Sequence, residues 1–286
     1  YVFPVIGGFV GGDTVAGLVA TALADMDSPV MMVDIGTNGE IVLAHEGKLW
    51  AASTAAGPAF EGARISCGMR AAAGAIEKVL FDDDVRLSVI GGTEPAGICG
   101  SALIDVAAEL LTAGIVTPQG RLLSGRELPE SLPQPLRDRV FTDDGGQVSF
   151  VLAGRAGAKG AVAVNQRDLR ELQLATGAIR AGVTILTRQA GLTSADLKRV
   201  LVAGGFGSFI RRSNAQRIGL LPADVDRRRI QYVGNASLNG ARCALVSTKA
   251  RKQAEQLARQ AVHVQLSQDP NFQSLFAESM LFPEHA

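Results

Sequence analysis

Short apolar runs that stop at glycine alternate along this chain with longer segments of helical period, and that alternation predicts an α/β fold. Two stretches carry most of the prediction. Residues 30–51 read as three short strands in a meander: Val30 to Asp34, Glu40 to Ala44 and Lys48 to Ala51, with a turn at His45-Glu46-Gly47. Residues Asn165 to Ala190 read as a long amphipathic helix, because Leu169, Leu172, Thr176, Ile179, Val183, Leu186 and Ala190 recur at spacings of three and four.

The other elements follow in order. Tyr1 to Ile6 is a strand-like start that ends at Gly7-Gly8 and looks cut from something longer. Thr14 to Ala24 reads as a helix. The glycine-rich stretch Gly57 to Gly68 is expected to lead into a helix running through Val79, followed by a strand from Val85 to Ile90. Gly97 to Ser101 opens a helix over Ala102 to Ala113. Gly120 to Gly146, with Pro129, Pro133 and Pro135, is the softest region and the expected place of an insertion and of any domain boundary, so about 115–150 is set aside as a linker. A strand over Val148 to Leu152 follows. Asn165 and Asp168 form an approximate capping box for the long helix, and Gly191 is its natural stop. Ser194 to Lys198 reads as a short helix, Val200 to Ala203 and Ile230 to Val233 as buried strands, and Ala236 to Ser247 as a helix. A basic helix (Ala250 to Val262), a strand near Val264 and a helix over Phe272 to Met280 end the chain.

Composition narrows the function. The 286 residues carry 28 Lys+Arg against 28 Asp+Glu, which argues against nucleic-acid binding driven by bulk charge. The nearest approach to a membrane span, Val5 to Ala24, holds Asp13 near its middle, at a cost of about 2.5–3.5 kcal/mol, so no membrane partner is expected. The three cysteines, Cys67, Cys99 and Cys243, are far apart and form no CxxC. An iron–sulfur or zinc site built from this chain alone is not expected, nor is a disulfide framework, and a reducing, cytoplasmic compartment fits. His45, His263 and His285 lack metal spacing, and neither GxSxG nor a P-loop occurs. Arg211-Arg212 and Arg227-Arg228-Arg229 read as solvated surface, with partner contact as the other use.

Three motifs could carry chemistry. Asp34-Ile35-Gly36-Thr37-Asn38-Gly39-Glu40 is first. Asn38-Gly39 is a strong hairpin signal that would need positive φ at both positions. The flanks add another use, since a carboxylate at the tip of a buried strand can hold a hydrated Mg²⁺, and Gly36 lets backbone approach a phosphate. Both readings stay open, because a hairpin turn can itself clamp phosphate. The second is Val200 to Gly207. A Rossmann fingerprint fails there because the third glycine position is Ile210, leaving a plain glycine turn or a flat backbone surface for an adenosine. The third, Ala55 to Arg70, reads as a substrate-facing or partner-facing loop, or a plain structural one. In it Glu61 and Arg64 can pair, and Cys67 reads as an inert buried thiol.

Together, Gly7 to Thr14, Val33 to Glu40, Ser53 to Ile76, Gly97 to Asp105, Asp168 to Gly182, Val202 to Gly207, Ile218 to Pro222 and Val233 to Ala236 resemble the C-terminal part of the reductive activators of corrinoid proteins. These are ferredoxin-like ATPases that restore an inactivated cobalamin cofactor in corrinoid methyltransferase systems. Their ATPase part is similar to the acetate/sugar kinase, heat-shock chaperone and actin superfamily. The resemblance implies a ribonuclease-H-like lobe with a mixed sheet, flanking helices and an insertion, spanning residues 1–286. It places Asp34, as catalytic residue and water-mediated Mg²⁺ ligand, with Gly36, Thr37, Asn38, Gly39 and Glu40 on the second phosphate motif. Gly204, Gly205, Phe206 and Gly207 fall on the adenosine motif, Asn235 is a further nucleotide contact, and Asp13 and Thr14 lie on a segment between lobes.

The implied cofactors are ATP and Mg²⁺. The 2Fe–2S cluster is expected only in an N-terminal region that this chain lacks, as is a first phosphate hairpin, and the corrinoid is expected on a partner protein. A homodimer is compatible with the sequence. The expected activity is ATP-dependent reduction of a Co(II) corrinoid by the whole protein, with this part inactive alone. Two alternatives remain at this point: a small-molecule kinase of the same superfamily, and a non-catalytic interaction or dimerisation module.

Overall fold

The computed structural model describes residues 1–158, 160–205 and 210–284. Its strands are β1 (Val30–Ile35), β2 (Gly39–His45), β3 (Lys48–Thr54), β4 (Ala75–Phe81), β5 (Val85–Val89), β6 (Gly97–Ile98), β7 (Val140–Thr142), β8 (Val148–Ala153), β9 (Val162–Asn165), β10 (Arg199–Ala203), β11 (Ile230–Gly234) and β12 (Ala261–His263). Its helices are α1 (Gly12–Thr21), α2 (Gly100–Thr112), α3 (Gln134–Asp138), α4 (Gln166–Gln189), α5 (Arg212–Arg217), α6 (Ala236–Val246), α7 (Thr248–Gln260) and α8 (Phe272–Ser279). The chain forms two compact units. One comprises Tyr1–Ala56, Ala178–Ser208 and Pro222–Ala277, and the other Gly57–Gly177, Phe209–Leu221 and Glu278–Ala286.

The first unit is built on a six-stranded sheet of order β11-β10-β1-β2-β3-β12. β1, β10 and β11 run parallel, β2 is antiparallel to β1 and β3, and β12 is parallel to β3. Both faces of β1 are covered, which is why its sequence is a continuous apolar run rather than an alternating one. On one face Val30, Met32, Val42, Leu49 and Leu201 join Leu18 of α1, Ala236 of α6 and Leu257 of α7 in one core. Each such buried side chain contributes about 1.5–3 kcal/mol. α6 lies against α1 with no side chain between them, since a Cβ on Gly240 would meet the Ala16 carbonyl at 1.9 Å. The other face takes the second half of α4, where a Cβ on Gly182 would sit 2.6 Å from Ile41.

The second unit has two three-stranded sheets, β5-β4-β6 and β7-β8-β9, with Phe81 and Phe150 stacked at 5.1 Å. Two buried acids fasten it. Asp105 on α2 accepts from Val79 N (3.2 Å), Arg211 Nε (3.0 Å) and Asn214 Nδ2 (2.8 Å). Asp168 accepts from Ser66 N (2.7 Å), Ser66 Oγ (3.0 Å) and Asn165 N (3.1 Å), closing the expected capping box and tethering the loop before β4.

Several expectations are corrected. The helix expected after Gly68 is replaced by β4. Gly74 at φ +89° ends the alanine run, and Ala75, Ile76 and Val79 are buried in strand pairing. Residues 1–6 lie in no strand. α1 starts at Gly12 and stops at Thr21, before Ala22 in the left-handed region. Residues 120–146 are not wholly irregular: they hold α3 and β7 and lie inside the second unit. The strand expected near Val264 is β12, which takes residues assigned to the basic helix. Arg211 is not solvated surface: it donates to Asp105, Glu109 and the Val79 carbonyl. Arg64 pairs with Glu171 at 3.9 Å rather than with Glu61, and Cys67 is partly exposed. Among the described residues no helix is long and apolar enough to cross a membrane.

Candidate nucleotide and cation site

The parallel strands β11, β10 and β1 end in glycine-rich turns at Gly234, Gly204 and Gly36. In open α/β sheets the crevice outside such carboxyl ends is where ligands bind. The strand register fixes what stands there. Ala203 pairs with Asp34, Asp34 with Glu40, and Glu40 with Ser53, so these positions form one row across the sheet. Strand side chains alternate between faces, so Asp34 shares the face of Val30 and Met32, the one that α1 covers. Asp13 lies in the first turn of α1.

Asp34 and Glu40 thus feel the charge of Asp13, with no cation among the described residues to balance it. Burial pushes the Asp34 carboxyl up to about 6, and the charge of Asp13 adds to it. Burial pushes Glu40 up to about 7; the bond from Ser53 Oγ to Glu40 Oε1 (3.1 Å) opposes this, while Asp13 and Asp34 reinforce it. Like charges directly opposite in a strand pair are destabilising. Among the described residues the Asp34 side chain has no hydrogen-bond partner, and the buried Thr14 hydroxyl beside Asp13 has none either. No group of three or more His, Cys, Asp or Glu side chains among the described residues is arranged to ligate an ion directly.

The glycines divide into two kinds. Gly39 and Gly204 are required by the fold. A Cβ on Gly39 would meet Ile179 at 2.8 Å, and one on Gly204, at φ +117°, would meet the Ile35 carbonyl at 2.5 Å. Gly36 and Gly205 are not required by packing. A Cβ on Gly36 meets only Asn38 O at 3.5 Å, and one on Gly205 meets nothing within 4 Å. Bare backbone without a packing reason suits close approach of a ligand.

Other expected site residues fare differently. The Asn38-Gly39 turn with positive φ at both positions does not form. Gly39 is already the first residue of β2, opposite Ile35, and the loop is Gly36-Thr37-Asn38, closed by Gly36 N to Asn38 O at 3.0 Å. Thr37 and Asn38 are exposed at its tip. Asn235 caps α6, its Oδ1 accepting from Leu238 N at 2.8 Å. Phe206 and Gly207 lie outside the described residues. Ser53 is the residue that motif reading missed; its signal was the hairpin register, which sets it opposite Glu40.

Comparisons with known proteins identify the family. The family described as "C-terminal domain of RACo the ASKHA domain" matches residues 28–286. The chain is 36% identical over 285 residues to "Corrinoid activation enzyme RamQ" of Eubacterium limosum, covering 99% of this chain and 47% of that protein. It is 27% identical over 271 residues to a Co(II) methylated amine-specific corrinoid protein reductase of Methanosarcina barkeri, covering 87% and 44%. A solved "Reductive activator for corrinoid,iron-sulfur protein" superposes with TM-score 0.87 at 38% identity, over 99% of this chain and 44% of that one. The chain therefore spans about half the length of the curated relatives it matches. From the sheet, the glycine turns and these matches together, the chain belongs to the family of C-terminal ASKHA domains of corrinoid reductive activators, an actin-like ATPase fold.

Proposed function

We propose that this chain is the ATP-binding C-terminal lobe of a protein that couples ATP hydrolysis to one-electron reduction of a Co(II) corrinoid to Co(I) on a partner corrinoid protein. The observation that carries the proposal is the row of Asp34 and Glu40 beside Asp13, buried charge with no countercharge among the described residues. Asp34 and Glu40 would hold a Mg²⁺ through its water shell, and the ion would supply positive charge to polarise the phosphates of ATP. Gly36 brings backbone to the phosphates, with Thr37 and Asn38 at the loop tip, and Gly204-Gly205 forms the surface under the adenosine. The electron comes from a 2Fe–2S cluster in the portion of the protein outside this chain, which also holds the first phosphate hairpin; no side chain here carries the electron. The names of the relatives, both corrinoid activators or reductases, support the partner.

Asp34→Ala in the full-length protein is expected to abolish ATPase activity and, with it, corrinoid reduction. Normal ATP turnover by that variant would overturn the assignment of Asp34.

A further inference from the structure

A second cleft, of about 430 Å³, opens in the first unit where β3 and β12 end. Its lining includes Phe9, Ser53, Thr54, His263, Gln265 and Phe272. We propose that it binds a neutral, planar carboxamide.

Three observations carry this. First, the polar groups are built in but unspent. Thr54 is 5% exposed, and its hydroxyl has no partner among the described residues. The His263 ring packs against bare backbone, since a Cβ on Gly7 or on Gly8 would lie 2.9 Å from it, yet neither ring nitrogen is bonded among the described residues. The Gly7-Gly8 pair thus has a use that the nucleotide site does not absorb. Second, the cleft offers both donors and acceptors. Ser53 gives its one proton to Glu40 and can offer only an acceptor, whereas the Thr54 hydroxyl offers both, and the two His263 ring nitrogens add further polar groups. A carboxamide, with one carbonyl and two N–H groups, complements such a mixture. Third, the lining has no Lys or Arg, and Glu40 stands behind Ser53, so an anion is rejected, while the Phe9 and Phe272 rings favour a flat ligand.

The test uses this chain without nucleotide or divalent cation, because Ser53 of the cleft is bonded to Glu40 of the candidate cation site. Benzamide is titrated against benzoate and followed by amide NMR shifts. Benzamide is expected to shift Thr54, His263 and Val264 saturably while benzoate does not. Thr54→Val, which keeps the shape, is expected to weaken binding about fivefold, the loss of one hydrogen bond. Ser267→Trp, which fills the cleft from an exposed position, is expected to abolish it. Equal binding of benzoate, shifts elsewhere, or an unaffected Thr54→Val would overturn the proposal. N-acetylglutamine methylamide and cobinamide then compete for the bound benzamide. Displacement by the first assigns the ligand to a polypeptide side chain, and by the second to the amide rim of a corrin. Displacement by neither in large excess would overturn the carboxamide assignment.

Discussion

Asp105 and Asp34 are the same residue type in opposite circumstances. Asp105 is 2% exposed and receives three hydrogen bonds, two of them from Arg211 and Asn214. Asp34 is half-buried, receives none among the described residues, and faces Glu40 across the strand pair. A buried charge costs free energy unless it is paired and hydrogen-bonded. Asp105 meets that condition within its own unit and serves as a fastening. Asp34 does not, and among the described residues its cost is left uncompensated, which is the basis for proposing it as a cation site.

The largest effect that would sharpen the contrast is Asp105→Ala. It leaves the Asn214 amide and the Val79 N–H without their acceptor and takes one of two carboxylates from Arg211, and is expected to cost about 3–5 kcal/mol in denaturant titrations. A cost under about 1 kcal/mol would break the comparison. Next is Gly204→Ala, expected to cost about 2–3 kcal/mol because a side chain is strained at φ +117° and meets the Ile35 carbonyl. Gly205→Ala, in open space, is expected to change stability by less than about 0.5 kcal/mol. One effect has the opposite sign: Asp34→Asn is expected to stabilise the unliganded chain by about 1–2 kcal/mol at neutral pH. The folded carboxyl titrates near about 6, above its usual 3.8, so its favourable contribution is complete below the ordinary value and is lost as pH rises through about 6. Glu40 extends the loss toward about 7. Thermal melts between pH 4 and 8 without divalent cation check this, and a pH-independent gain in Asp34→Asn would contradict it.

Much of the fold was legible because local signals agreed with it. The meander, the capping box of α4 and the glycine stop at Gly191 all form where pattern and cap chemistry put them. β4 was misread because alanines before Gly74 favour helix in isolation, whereas pairing with β5 and burial of Ile76 and Val79 decide otherwise. The candidate site is visible in sequence as a motif but not as a constellation. Asp34, Gly36, Gly39 and Glu40 lie in one short stretch, while the family resemblance sets Asp13 on a segment between lobes without bringing it to them. Only the packing of α1 on the sheet makes Asp13 a neighbour in charge, and only strand register sets Ser53 opposite Glu40. Arg211 was read as surface because a basic pair looks solvated until its acid, far away in sequence, is seen.

The most direct measurement is calorimetric titration of this chain with Mg·ATP at neutral pH, beside Asp34→Asn. The expected result is saturable binding that requires Mg²⁺ and is lost in Asp34→Asn, although that variant is the more stable protein. Equal binding by both proteins would show that the uncompensated carboxylate row does not hold the nucleotide's cation.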